Sequence, residues 1–321
     1  MAKNVSIAAL TLIMLFVLNP PGAFAGDGPT EIELGDAFWS HWGDGQAELA
    51  GYDLSFPRYG SPRSGVAVTI FVTEPFSFSS MVKADPGKHP ASDVFQVMKL
   101  NLVRDFPTGI YDYNMMTSTF VGLQPFKGSP SGSLAKVSFS SQEWCGHVYQ
   151  QILFRGARAE ITAHSYFDGE ADSNRTVSVP EDGISEDLLF HWARGFARPV
   201  VGPGEEIEIS ILPSLTRSRL GHRDLEWSRA TLSSSEATES LEVGAGTFDV
   251  RTKTVRFSDG RSTKFFVEPA PPHRIIRWES SDGEVADLVG VERLAYWKMN
   301  GPEFTSAVEK LGLRPRGDRM P

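Results

Sequence analysis

Cysteine is almost missing from this chain, with Cys145 the single one in 321 residues. An internal disulfide and a paired-thiolate metal site are thereby excluded. A lone cysteine in a chain this long reads as a small buried hydrophobe, so Cys145 is expected to stay unreactive until the protein unfolds. Long apolar runs are equally scarce. Only residues 7–18 form one, about a dozen residues against the roughly 20 that a helix needs to cross a bilayer. Lys3 before this run and Ala23-Phe24-Ala25 after it give an export signal over residues 1–25, with the mature chain starting at Gly26. A periplasmic or secreted protein is expected, with no transmembrane segment after cleavage. Positive charge is in deficit: 31 Lys and Arg face 40 Asp and Glu, a net charge of -9. Phosphate backbones bind basic faces, so nucleic acid is not an expected partner. The chain has no Gly-rich phosphate loop, no His-Glu-x-x-His and no Gly-x-Ser-x-Gly elbow, so no cofactor or resident metal is implied.

Present in abundance are short runs rich in Val, Ile, Phe, Tyr and Thr, separated by turn residues. Strands are expected at 47–56, 64–73, 94–104, 109–121, 134–140, 146–154 and 158–167. They resume at 206–212, 224–232, 239–243, 247–257, 264–267, 274–279 and 285–297. Asp259-Gly260 and Asp282-Gly283 are hairpin turns, since Asp-Gly tolerates the positive φ angles such turns need. Helical signals occur at Ser185 to Arg194, capped by Ser185 and ended by Gly195, and more weakly at Glu303 to Leu311. Close spacing without long crossover helices predicts antiparallel pairing, with strand exceeding helix at least about threefold. The expected fold is mostly β, an antiparallel incomplete barrel or large curved sheet with one or two short helices. Val201-Gly202-Pro203-Gly204 divides a strand-rich half at 26–200 from a second at 201–300, followed by a short helix and frayed tail at 301–321.

The run Leu241 to Val250, with Gly260, Lys264-Phe265-Phe266-Val267 and Ile275-Ile276-Arg277-Trp278-Glu279, resembles the end of bacterial envelope proteins in the uncharacterised DUF3108 group. That group is similar to the lipoprotein-carrier (LolA-like) family, whose fold is an incomplete antiparallel barrel around an apolar cavity. The resemblance implies non-catalytic binding of an apolar or amphipathic molecule in such a cavity. In the other half, His41 to Leu49, Lys99-Leu100-Asn101, Thr108 to Tyr113 and Ser140 to His147 resemble uncharacterised exported bacterial proteins that have carried a septum-inhibitor (Maf) label. The label does not fit: Maf pyrophosphatases are α/β proteins with a Ser-Pro-Arg-Arg loop, and Ser61-Pro62-Arg63-Ser64 breaks that motif.

Alternation places Glu143, Cys145, His147 and Tyr149 on one face of a strand, which makes Glu143, Cys145 and His147 the catalytic candidates if the protein is an enzyme. Lys99 and Asn101 share a face opposite Met98, Leu100 and Leu102, and a Lys99–Asp112 cross-strand ion pair is an open option. His41, Asp44 and Glu48 are potential hard-metal donors at a spacing that matches no established pattern. The expected ligand-binding residues are Trp42, Lys99, Asn101, Tyr111, Asp112, Tyr113 and Trp144. Beside the binding reading stand two others, an enzyme at the barrel mouth and a structural envelope protein that binds partner proteins.

Overall fold

The computed structural model describes residue 32 and residues 34–315. The expected export signal and its cleavage site lie outside the described residues. Strand accounts for 54% and helix for 13%, which exceeds the threefold ratio the periodicity predicts. The first meander contains β1 (Ala47–Arg58), β2 (Ser61–Ser77), β3 (Val82–Lys83), β4 (Val94–Pro107), β5 (Asp112–Gly122), β6 (Leu134–Glu143), β7 (Gly146–Arg155), β8 (Arg158–Ser165) and β9 (Ser173–Ser178). The second contains β10 (Gly183–Ser185), β11 (Glu206–Leu212), β12 (Ser228–Val243), β13 (Gly246–Phe257), β14 (Ser262–Val267), β15 (Ile275–Ser280) and β16 (Val285–Leu294).

Both meanders belong to one 16-stranded sheet, because β16 pairs antiparallel with β1, Ala47 opposite Leu294. The strands on either side of Gly202 are therefore hydrogen-bonded into a continuous surface. Its two edges are β9 and β10, which follow one another in the chain, and no ladder joins them. The sheet is curved and open, as alternation and turn spacing led one to expect.

A single segment shows what the sheet curves around. Ser185 Oγ accepts the Asp187 N–H (3.2 Å), a 3-10 turn covers Glu186–Leu188, and α2 (Leu189–Ala193) continues to Gly195, whose φ of 77° ends it. Phe190 meets Phe265 of β14 and Trp278 of β15, each with ring centroids 5.1 Å apart. His191 is bonded to Thr119 of β5, and Arg194 to Glu48 of β1. Strands far apart in the sheet thus touch one short helix, so the helix occupies the lumen. Leu188 to Ala193 are all buried, and each large apolar side chain among them is worth ~1.5–3 kcal/mol.

Two further short helices were not legible as such: α1 (Asp36–Trp42) and α3 (Leu215–Gly221). The segment Pro302–Leu311 is a 3-10 helix with Gly312 in the left-handed region. It lies across β1 and β16 from outside, and Leu311 and Leu313 are 5% and 4% exposed. Gly51 and Gly290 make this approach possible, since a Cβ on either would stand within 2.6 Å of Leu311 backbone atoms. The chain through Leu313 is therefore docked, and the expected frayed tail beyond residue 315 lies outside the described residues. No helix among the described residues is long and apolar enough to cross a membrane.

Candidate functional site

One end of the sheet carries the turns Tyr59-Gly60, Trp144-Cys145 and Asp282-Gly283, with α3 lying across it. Between α3 and the start of the lumenal helix the interior is unfilled, leaving a cavity of about 390 Å³. Its floor is apolar. Leu100 and Leu102 face it from the buried register of β4, and Phe265, Trp278, Leu189 and Phe190 complete it.

Its mouth is charged. The Leu215 N–H donates to Asp187 Oδ2 (3.0 Å) and the Ser214 N–H to Glu186 Oε2 (3.1 Å), so two carboxylates of the lumenal segment hold the start of α3 in place. Arg104 donates to Glu284 (2.8 Å), which also accepts the Trp278 indole N–H (2.8 Å). Arg217 pairs with Asp282, and Arg261 reaches Glu186. Arg58 is different: it donates to the Tyr113 hydroxyl (3.0 Å) and the Leu220 carbonyl (3.2 Å) and meets no carboxylate among the described residues. Arg223 also lines the mouth, and no described acid pairs with it. Burial pushes the Asp187 carboxyl up to about 7, against the hydrogen bond from Leu215; the neighbouring Glu186 charge adds to the rise.

The expected ligand residues divide by position. Tyr111, Tyr113 and Trp144 gather beside Arg58 and Tyr59: the Tyr113 and Tyr59 hydroxyls are 2.7 Å apart, and the Tyr111 and Trp144 rings 6.2 Å apart. Trp42 is instead packed at the other end of the lumen, against Phe196 (5.5 Å) and the Arg194 guanidinium (5.2 Å). Asn101 accepts a hydrogen bond from Ser118 (2.7 Å). Lys99 pairs with Glu74 of β2 (3.1 Å), and the Lys99–Asp112 option fails on register: Lys99 lies opposite Phe120, whereas Asp112 lies opposite Pro107.

The shared face of Glu143, Cys145 and His147 is also corrected. Glu143 pairs with Gly146, so Trp144 and Cys145 are the two turn residues of a hairpin, and alternation does not run through them. Glu143 is buried and points inward, its Oε2 accepting the Cys145 N–H (2.6 Å), while Cys145 and His147 are exposed. The cysteine is not a buried hydrophobe, because a two-residue turn leaves it nothing to pack against. Its thiol is held above the usual range, mainly by its hydrogen bond to the Glu143 carboxylate. Cys145 in the folded protein should therefore react with a thiol reagent slowly near pH 7 and faster above pH 9, and His147→Ala should leave the rate unchanged. Rate measurements across pH test this, and strong dependence on His147 at neutral pH would restore a thiol–imidazole pair.

The potential metal donors are each taken by an arginine. His41 Nε2 and Asp44 both contact Arg293 (3.0 and 2.7 Å), and Glu48 is paired with Arg194. Among the described residues no group of three His, Cys, Asp or Glu side chains is placed to hold a metal ion. An open groove of about 920 Å³ runs along the outer face past His147, Tyr149 and His164, and its polar groups are largely solvated.

Sequence reading left out Arg58, Arg104, Asp187 and Arg223. Arg104 carried a signal: it continues the buried register Met98, Leu100, Leu102, where a guanidinium needs a partner. The others depend on which turns meet at one end of the sheet. Comparison with family models, with curated proteins and with solved structures finds no match for this chain.

Proposed function

We propose that this protein binds an amphipathic small molecule in the cavity beneath α3 without transforming it, and that it does so outside the cytoplasm. The observation that carries the reading is an apolar floor beneath a mouth where Arg58 and Arg223 have no carboxylate partner among the described residues. An apolar chain or ring on Leu100, Leu102, Phe265 and Trp278 would leave its polar or anionic end beside those guanidiniums. A volume of about 390 Å³ lies within the ~300–1,000 Å³ of small-molecule sites. Phe265 and Trp278 fall within the segment that resembles the DUF3108 group. The lining carboxylates Glu186 and Asp187 are engaged by the Ser214 and Leu215 N–H groups, which fits their use in holding α3 over the cavity. The amino-terminal signal supports the address.

The probe is 1-anilinonaphthalene-8-sulfonate, an amphipathic anion whose fluorescence rises on leaving water, with dodecanoate as competitor. The wild type should bind it and release it to dodecanoate. Leu100→Trp, which fills the cavity floor, should weaken binding at least tenfold, and Arg223→Gln should weaken dodecanoate binding more than that of the uncharged dodecanol. Equal binding by the wild type and Leu100→Trp, with both folded, would sink the proposal.

A further inference from the structure

At the other end of the lumen, unpaired hydrogen-bond donors accumulate on the inner face of β12 and β13. Ser234 and Lys253 are opposite one another in the ladder, next to the buried pair Leu232 and Val255. The Ser234 hydroxyl is buried and has no partner among the described residues. Lys253 Nζ lies 5.2 Å from the centre of the Trp192 ring, and the indole N–H of Trp192, a residue 1% exposed, meets no acceptor. Arg251, two residues along the same strand, has a buried Nε without a partner. The Nε of Arg194 is also unpaired, although its other nitrogens are bonded to Glu48 and the Pro272 carbonyl.

Glu236, two residues from Ser234, is exposed and lies against Gly204 without pairing with Lys253 or Arg251, and the other nearby acids are already used. Glu268 gives both oxygens to Arg274 (2.5 and 2.7 Å), Glu205 accepts the Gly202 N–H (2.8 Å) and Glu239 accepts the Thr252 hydroxyl (2.7 Å). Burial, with the charge of Arg251, lowers the Lys253 ammonium to about 8, so near pH 7 it is mostly charged, and no described acid pairs with it. His273, bonded to the Glu268 carbonyl, is lowered first by burial and also by Arg194 and Lys253. Buried donors in folded proteins are nearly always satisfied. Water would meet the hydrogen bonds but not the charge.

We propose that Lys253, Arg251, Ser234 and Trp192 form a site for one small oxyanion of the phosphate or sulfate kind, held between the lumenal helix and the β12–β13 ladder. Lys253 and Arg251 are only partly buried, which gives the ion a way in. Four donors from one ammonium, one guanidinium, one hydroxyl and one indole suit a tetrahedral anion with several acceptor oxygens. The site does not depend on the cavity beneath α3, and the two have different variants.

The test is calorimetric titration of the full chain with inorganic phosphate at fixed ionic strength, using chloride as the reference ion. Binding should weaken at least tenfold in Lys253→Met and in Arg251→Met, and stay unchanged in Lys264→Met, whose lysine is exposed and paired with Glu279. Thermal melts give a second readout. Without phosphate, Lys253→Met should melt higher than the wild type, since it removes an unpaired charge; phosphate should then raise the wild-type midpoint and leave the variant's in place. Vesicles containing phosphatidic acid form the other arm: Lys253-dependent vesicle binding without free-phosphate binding would assign the oxyanion to a headgroup. No wild-type response to phosphate or vesicles beyond chloride, or an equal response in Lys253→Met, would overturn the proposal.

Discussion

Asp187→Asn should make the protein lose stability as pH falls from about 6.5 to about 4, where the wild type changes little. Two buried groups of the lumenal segment set this behaviour. The Asp187 carboxyl is raised by burial from 3.8 to about 7, so the folded state holds its proton more tightly than the unfolded chain does. Its contribution is fully present below about pH 4 and is lost as pH rises through 7, a span of about 4 kcal/mol. Burial lowers His191 from 6.5 to about 3. Its contribution is fully present above about 6.5 and is lost as pH falls toward 3, a span of about 5 kcal/mol. Between about pH 4 and 6.5 the two slopes have opposite signs and largely cancel. Asn at 187 removes one and exposes the other, while His191→Gln should do the reverse and make the protein more stable on going from pH 7 to pH 4. Other carboxylates add a background common to all three proteins, so the comparison is between slopes. Urea midpoints at pH 4, 5, 6 and 7 decide it. Parallel curves for the wild type and both variants would mean that neither group is shifted as its burial implies.

What was legible in the sequence was local. Met98, Leu100 and Leu102 alternate with Lys99 and Asn101, and the buried and half-buried faces of β4 follow that alternation. Ser185 caps the lumenal segment because its hydroxyl reaches the second N–H after it, a distance that two residues fix. Asp259-Gly260 and Asp282-Gly283 turn the chain because Gly260 and Gly283 stand at positive φ, 88° and 103°, which other residues rarely adopt. Trp144-Cys145 also turns it, with neither residue favouring a turn, so alternation seemed to continue from Glu143 to His147. Partners distant in sequence were beyond this kind of reading. The mouth of the cavity brings Arg58, Arg104, Asp187, Arg217 and Glu284 together, and it exists because β16 pairs with β1. Nothing at residues 47–58 states that their partner lies more than two hundred residues away. The lumenal helix reads as an ordinary amphipathic turn until the strands that surround it are known.

Glu48→Ala should cost about 3–5 kcal/mol, the usual penalty for leaving a buried charge without its partner. Arg194 donates to both Glu48 oxygens, at 2.5 and 3.3 Å, and the side chains are only 2% and 4% exposed. The guanidinium lies over the Phe71 ring at 4.4 Å and close to Trp42 and Phe196, so water cannot replace the lost carboxylate. A drop of about 10 °C in melting temperature corresponds to this loss in a domain of this size. The pair need not be better than an apolar contact, however. Taking both ions out of water has its own cost, and a packed hydrophobic pair of similar volume often does as well. Glu48→Met with Arg194→Met should therefore melt well above Glu48→Ala alone, although Arg194 also loses its bond to the Pro272 carbonyl (2.8 Å). Scanning calorimetry on the three proteins separates the explanations. A Glu48→Ala variant within about 1 kcal/mol of the wild type would show that the site admits water. A double variant no more stable than Glu48→Ala would show that the ion pair itself fastens the lumenal helix to β1, and that apolar packing around Phe71 and Phe196 cannot take its place.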